Sequence, residues 1–302
     1  MATNGMRILN IGSLNIDDVF SVEHFVQPGE TIACRSYARH VGGKGNNQSV
    51  ALARAGAQVC HAGKVGADGR FLVDGLKAAG VDVSRVVEAE VPTGRAIIQV
   101  DGAGQNCIIL MGGANQDISR SDIDGFLAGW GKGDSILLQN ETAETGHALA
   151  EAARRGLTVF LNPSPVKDNL FALPLEKVDY LLLNEVEGAA LAGDADPDAI
   201  LRILRSRLPT TNLVLTLGAE GLRYFGADGL SFRLAAEKVA VVDTTAAGDT
   251  FTGFFIAALL RGEGPESAAR DAVRAASICV TRAGAAESIP TRAELGIPPV
   301  SP

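Results

Sequence analysis

The sequence predicts an α/β protein built on a mostly parallel sheet with helices on both faces. Three observations predict it. Short apolar runs of strand length alternate with helix-length patterned segments along most of the chain. The runs are nearly continuous in Val, Ile and Leu, as strands covered on both faces require. Polar and glycine-rich motifs fall just after those runs or at helix starts, where ligands bind in such sheets.

Residues 7–12 (RILNIG) read as a buried strand. A helix follows Gly45 and carries the apolar-periodic stretch 49–55. A strand near 58–65 and a helix near 69–79 come next. The runs 95–101 and 106–111 flank Asp101-Gly102-Ala103-Gly104, a hairpin signal. Strands recur at 135–139, 157–161, 180–183 and 213–217, separated by helical patterns at 143–154, 185–191 and 197–207. Residues 250–260 (TFTGFFIAALL) are apolar all round and predict a buried helix. The 95–111 hairpin and the segment near 14–40 break the α/β rhythm. They predict extra strands whose placement stays open. The chain of 302 residues fits one large α/β domain or two small ones, with no internal repeat, low-complexity tract or clear linker.

The formal charge of −8 argues against nucleic acid and against an anionic membrane as partners. It does not exclude ATP, because only the local field at a site matters. Cys34, Cys60, Cys107 and Cys279 have no paired spacing, which suits free thiols in a reducing cytoplasm. None of the four histidines pairs with a cysteine at zinc-ligand spacing. No basic-then-apolar leader and no apolar run of membrane-spanning length is seen. Met-Ala-Thr-Asn-Gly at the N-terminus reads as a disordered lead-in.

The segment Asp243-Thr244-Thr245-Ala246-Ala247-Gly248-Asp249 runs directly into the apolar helix. The first amides of a helix lack internal partners, and the helix dipole favours an anion there. Ala246, Ala247 and Gly248 leave room for a phosphate at those amides. Asp249 beside that phosphate makes sense as a base or a metal ligand. A hydroxyl attacking a phosphoryl group needs both a base and donors for the developing charge. The bland alternative is an Asp that caps a buried helix. The second motif, Gly42-Gly43-Lys44-Gly45-Asn46-Asn47-Gln48, places glycines and a cation at another helix start. It has neither the Walker A nor the dinucleotide-binding spacing. By itself it would read as a flexible turn.

Together these motifs resemble the ribokinase (PfkB) family of carbohydrate kinases. Gly12-Ser13-Leu14-Asn15-Ile16-Asp17, Pro28-Gly29-Glu30-Thr31, Gln139-Asn140-Glu141, Leu161-Asn162-Pro163-Ser164-Pro165, Asn184-Glu185-Val186-Glu187, Thr216-Leu217-Gly218-Ala219-Glu220-Gly221 and Gly284-Ala285-Ala286-Glu287-Ser288-Ile289-Pro290 extend the match in order from about residue 8 to 290. The resemblance implies a three-layer α/β/α sandwich. It treats residues 1–302 as one domain, with a β-sheet lid formed near 14–40 and 92–113. It implies an ATP-dependent sugar kinase using Mg2+ and K+, and a homodimer formed through the lid.

By the same resemblance, Asp249 is the catalytic base, and Ala246, Ala247 and Gly248 supply an anion hole. Asn15, Asp17, Gly42, Gly43, Lys44, Asn47 and Glu141 match the sugar-holding residues. Asn184 and Glu187 match a motif that organises Mg2+ and the phosphates, although the pair also reads as a capping box. Thr216, Gly218 and Gly221, with Gly248, match the ATP site. Asp243, Thr245, Cys279, Arg282, Gly284 and Ser288 fall on the K+ loop, which binds mostly through backbone carbonyls. Val273 stands where a well-known member of the family has a histidine against adenine, which weakens any inference about nucleotide preference. Arg95 alternates with Ile97 and Gln99 on the predicted hairpin and is expected to face water, with contact to an anionic substrate group as the alternative.

The resemblance implies D-ribose as the substrate, phosphorylated at its 5-hydroxyl, and the Asn15, Asp17 and Glu141 set favours such a small unphosphorylated pentose. Within the family the alternatives are deoxyribose, a ketohexose, a 2-keto sugar acid or a nucleoside. Outside it stands a silent sugar-binding protein on the same fold. The presence of Asp249, Gly248 and Gly43 argues against that reading.

Overall fold

The computed structural model describes residues 7–297, and the expected N-terminal lead-in lies outside them. The chain begins with β1 (Arg7–Ile11), β2 (Asn15–Ser21), β3 (Ser36–Gly42), α1 (Lys44–Arg54), β4 (Gln58–Val65), α2 (Arg70–Ala78) and β5 (Asp82–Glu88). β6 (Gly94–Val100), β7 (Asn106–Met111), α3 (Arg120–Phe126), β8 (Ser135–Gln139), α4 (Thr145–Arg154), β9 (Thr158–Asn162), β10 (Tyr180–Asn184) and α5 (Glu185–Ala192) follow. It continues through α6 (Pro197–Arg207), β11 (Asn212–Thr216), β12 (Leu222–Phe225), β13 (Ser231–Leu234), α7 (Ala247–Leu260) and α8 (Pro265–Cys279).

Among the described residues, nine strands form the main sheet in the order β13-β12-β11-β10-β9-β8-β1-β4-β5. All neighbours are parallel except β12 against β11 and β13 against β12. Strand alternation feeds two cores, one on each face. Ile8, Leu137, Phe160, Leu182 and Val214 join the core under α1, α2, α7 and α8. Leu9, Ile136, Val159, Leu181 and Leu213 join the core under α3, α4, α5 and α6. This is the expected three-layer arrangement.

The extra strands assemble a second sheet in the order β3-β2-β6-β7. β2 runs antiparallel to β3 but parallel to β6, and β3 and β7 form the two edges. Every residue of β7 is exposed. Among the described residues, no helix is long and apolar enough to cross a membrane.

Five elements had no counterpart in the sequence reading: β5, α3, β12, β13 and α8. β5 and β13 are the sheet's edge strands and β12 lies next to β13; they carry Arg85, Arg233 and Arg223, which interrupt the apolar pattern. α8 buries Ala268, Ala269, Ala272 and Ala275. An alanine stripe packs closely but contributes little hydropathy to periodicity.

Candidate active site

β1 sits centrally. The chain builds outward from it through β4 and β5 on one side, and β8 to β11 continue on the other. The gap beyond β1 and β8 is therefore a topological switch point, the preferred ligand crevice of such sheets. Ser13 follows β1 and Glu141 follows β8. The Ser13 hydroxyl donates to Glu141 Oε2, and the Lys44 amide donates to the same oxygen at 3.0 Å. Glu141 thus rests on the first turn of α1, where a carboxylate is favoured. The register also aligns Gln139 with Asn162 and Asn184 with Thr216 at the strand ends.

β2 projects Asn15 and Asp17 on one face, opposite Gly42 and His40 of β3. A Cβ on Gly42 would overlap the Asp17 carboxylate, so the glycine makes room for that side chain. Gly43 takes φ 94° as it leads into α1, a conformation open to glycine. Asn15 Oδ1 accepts from Asn115 Nδ2 at 2.7 Å, and Asn115 Oδ1 accepts from the Leu14 amide at 3.0 Å. Burial pushes the Asp17 carboxyl up to about 7, aided by the charges of Glu141 and Asp18.

Asp249 lies in the first turn of α7 and is buried. Its Oδ2 accepts from Asn47 Nδ2 at 3.0 Å, and its Oδ1 accepts from Gln48 Nε2 at 2.8 Å. Burial raises its pKa above the ordinary carboxylate value, although Lys44, Asn47 and Gln48 all oppose the rise. The negative charge of Asp249 raises the pKa of Lys44 in turn. Ala246, which precedes α7, takes φ 61°, a left-handed conformation uncommon outside glycine. The Ala247 amide makes a long bond of 3.3 Å to the Thr244 carbonyl. The next helical amide, on Gly248, has no intrahelical carbonyl to reach.

Lys44, Ala246, Ala247, Gly248 and Asp249 line a cleft of 210 Å³ with Asn162, Ser164, Asn184, Glu187 and Thr216, whereas Asn15, Asp17, Asn47 and Glu141 lie outside its lining. Asn184 caps α5, accepting from the Val186 and Glu187 amides at 2.8 and 3.0 Å. Glu187 accepts from the Asn184 amide at 2.7 Å and from the Ser164 hydroxyl at 2.6 Å. The capping box is real, and it faces the cleft. Gly218 and Gly221 do not line it. Gly221 has φ 95°, and a Cβ there would strike the Leu234 carbonyl. Its glycine is explained by that close backbone approach. Larger surface clefts beside Asp198 (340 Å³) and Asp68 (670 Å³) gather none of the strand-end motifs.

The segment around residues 243–288 also comes together. Asp243 Oδ1 accepts from the Thr245 amide and hydroxyl at 2.9 and 2.7 Å, and Oδ2 accepts from the Gly284 amide at 3.1 Å. Burial works against the Asp243 charge, yet these donors hold the carboxyl below its ordinary value. The buried Cys279 Sγ lies 3.1 Å from Ser288 Oγ, and Ser288 donates to the Ala285 carbonyl at 2.7 Å. The Arg282 side chain instead pairs with Glu294 at 2.7 Å on the surface, leaving only its backbone for this loop. No group of three His, Cys, Asp or Glu that could hold a metal occurs among the described residues. Val273 is partly buried against the core of α7 and α8.

One expectation is overturned. Arg95 does not simply face water: it donates to Asp18 at 2.7 Å and to Asp68 at 2.9 Å. Asp18 is buried and also accepts from Arg39 and Tyr37, so its charge demanded cations that alternation along β6 alone did not reveal. Ser13, Gln48, Asn115 and Ser164 were missed as site residues. Ser13, Gln48 and Ser164 lay inside sequence motifs, but nothing local showed what they touch.

A carboxylate at a helix N-terminus, a nearby cation and a flanking β-sheet over the switch point of an α/β/α sandwich define a class of small-molecule kinases. The chain belongs to the pfkB family of carbohydrate kinases, whose profile matches residues 6–292. It is 36% identical to the ribokinase of Haemophilus influenzae over 296 residues, spanning 94% of this chain and 95% of that one. It superposes on a ribokinase from Arabidopsis thaliana complexed with ribose and ATP, with TM-score 0.86 and 28% identity over 96% of this chain and 97% of that one. A ribokinase from Cryptococcus neoformans in complex with ADP matches with TM-score 0.83 and 33% identity, covering 96% and 99% of the two chains.

Proposed function

We propose that this kinase transfers the γ-phosphoryl group of ATP to the 5-hydroxyl of D-ribose, with Asp249 as base. The observation that carries the reading is the Asp249 carboxylate at the start of α7, bonded by Asn47 and facing Lys44. Asn15, Asp17, Asn47 and Glu141, with the exposed backbone of Gly42 and Gly43, offer the mixed donors and acceptors that a polyol needs. The β2-β3-β6-β7 sheet acts as a lid over the sugar. Asp249 accepts the hydroxyl proton as the hydroxyl oxygen bonds to the γ-phosphorus. The bond from that phosphorus to the β–γ bridging oxygen breaks, and ADP leaves. Lys44 and the amides of Ala246, Ala247 and Gly248 hold the charge that develops. Thr216 and Gly218 border the nucleotide.

Mg2+, when bound with ATP, supplies charge neutralisation at the phosphates. Both Glu187 oxygens already accept hydrogen bonds, so Glu187 and Asn184 suit contact with it through water. K+ would sit against the backbone carbonyls of the Asp243–Thr245 and Cys279–Ser288 segments, where Asp243 is held ionised by its donors. Activity should fall when K+ is replaced by a large organic cation, and unchanged activity would remove K+ from the scheme. The free thiols of Cys34 and Cys107 are exposed, which suits a reducing cytoplasm. A second copy covers the β7 edge, where Ile108, Ile109, Leu110 and Met111 are all exposed.

The deciding experiment measures ADP release with Mg-ATP and K+ across ribose, deoxyribose, fructose, a 2-keto-3-deoxy acid and adenosine. Fast turnover with ribose alone is the expected result. Fast turnover only with another member overturns the sugar assignment and keeps the chemistry.

A further inference from the structure

The buried polar side chains beneath Asp249 form one connected chain. Asn10, Gln48, Ser49, His61 and Gln139 are each at most 1% exposed. Their bonds run from β1 through α1 and β8 to the start of α7, and backbone carbonyls fix their direction.

Asn10 Nδ2 donates to the Gly45 carbonyl at 2.8 Å and to Ser49 Oγ at 2.8 Å. A carbonyl only accepts, so the Asn10 amide has one orientation. Its Oδ1 must then accept from Gln139 Nε2, at 2.9 Å. The same Gln139 nitrogen donates to Gln48 Oε1 at 2.7 Å. Gln48 is left with its nitrogen facing Asp249 Oδ1 at 2.8 Å. Its other hydrogen reaches Asn162 Oδ1 at 3.3 Å. Asn162 is itself oriented, because its Nδ2 donates to the Leu182 carbonyl at 3.0 Å. Gln48 is therefore pinned from two sides and cannot turn its oxygen toward Asp249 without breaking both anchors.

The far end carries no charge. Ser49 Oγ accepts from Asn10 and lies 2.8 Å from His61 Nδ1. Burial pulls the His61 imidazole down to about 4, which leaves it neutral in ordinary buffers. The chain also keeps two loose ends: Gln139 Oε1 and His61 Nε2 are buried without a hydrogen-bond partner. Apolar side chains would fill this core without such a cost. What the amides supply instead is a fixed donor aimed at one carboxylate oxygen.

We infer that Gln48, oriented by Gln139, Asn10 and Asn162, is a positioning residue that holds the Asp249 carboxylate as a hydrogen-bond acceptor aimed into the cleft. The inference rests on the reading of Asp249 as base. Gln48 fixes Oδ1 while Asn47 fixes Oδ2, so the carboxylate cannot rotate as the substrate hydroxyl arrives. A donor to the ionised form also favours that form. The other charged groups facing Asp249 are Lys44 on α1 and Glu141 after β8, and both remain in place when Gln48 changes.

The test compares Gln48→Leu, Gln139→Leu and Asp249→Asn with the unchanged enzyme. It records kcat and KM for ribose and ATP from pH 5 to 9, with thermal unfolding alongside. Gln48→Leu should lower kcat at least tenfold and move the acidic limb of kcat upward by at least half a pH unit, with KM for ATP within threefold. Gln139→Leu, which touches no substrate, should move the same limb the same way by less. If Gln48→Leu does not fold, Gln48→Met and Gln139→Leu carry the test. Folded variants whose acidic limb stays put overturn the inference, whatever happens to their melting temperature. Retained turnover in Asp249→Asn would overturn the base assignment and the inference with it. A dead Asp249→Asn beside an unmoved limb in Gln48→Leu would sink the inference alone.

Discussion

Asn47 and Asp249 meet at 3.0 Å across 202 residues of chain. The contact exists because α1 and α7 pack on the same face of the sheet and both begin at its ligand-binding edge. Gly253 on α7 lies so near Ala51 on α1 that a Cβ would overlap it. Close helix approach there brings the two helix starts together, and with them the sugar-side amide and the proposed base.

Replacing Asp249 by Asn should lower turnover by roughly 10²–10⁴-fold, the range expected for a lost general base. Ribose affinity by calorimetry should stay within a few-fold. Near-normal turnover would exclude the base role.

A wedge between the helices tests the same geometry from a distance. Gly253→Val should cost about 1–3 kcal/mol of stability through overpacking. It should also lower kcat, because it parts Asn47 from Asp249. Unfolding curves and kinetics of the one variant check both claims, and a full kcat with reduced stability would separate packing from the site.

Asp17 carries a pH signature. Burial in the folded protein pushes its carboxyl up to about 7 from an ordinary value of 3.8. The folded state binds the proton more tightly. Its contribution to stability is therefore fully present below about 3.8 and is lost as the pH rises through 7. Asp17→Asn should then compare more favourably with the unchanged protein at pH 8 than at pH 4 in unfolding measurements. Ribose hydroxyls that donate to Asp17 should also expel its proton, so calorimetry at pH 6 in buffers of different ionisation enthalpy should detect proton release. The same heat in every buffer would refute this.

Asn184 both caps α5 and faces the cleft. Asn184→Ala should cost about 1 kcal/mol in stability, the usual loss for such a cap. The KM for Mg-ATP should rise several-fold while the KM for ribose stays unchanged. If only stability falls, the residue is a cap and nothing more.

The apolar edge strand predicts a dimer mass in solution at micromolar concentration. Leu110→Asp should shift that mass toward the monomer by light scattering, since Leu110 is 63% exposed and its burial drives pairing. A monomeric parent protein would rule the lid dimer out.

Much of the fold was legible because it is written in neighbouring residues. The strands at 58–65 and 135–139 and the helix at 197–207 fall on the boundaries read from the apolar runs and helical patterns. The Asp196 cap with Pro197 at the first helical position is a signal that needs no tertiary context. Strands β12 and β13 escaped because their arginines answer to Asp198 on α6, a partner remote in sequence. The site residues of the glycine-rich and Asp243–Asp249 segments were likewise visible as motifs.

By itself, the sequence determined the layered α/β architecture, the buried helix after Asp249 and the residue types available for phosphoryl transfer. Only the tertiary structure decided which of them touch. It turned Arg95 onto Asp18 and Asp68, set Ser13 and Lys44 on Glu141, and joined Gln48 to Asp249 through a directional chain of amides. The physical reason is range. Periodicity and capping act over a few residues, whereas a buried hydrogen bond depends on packing that brings distant segments within 3 Å and removes the water that would otherwise compete.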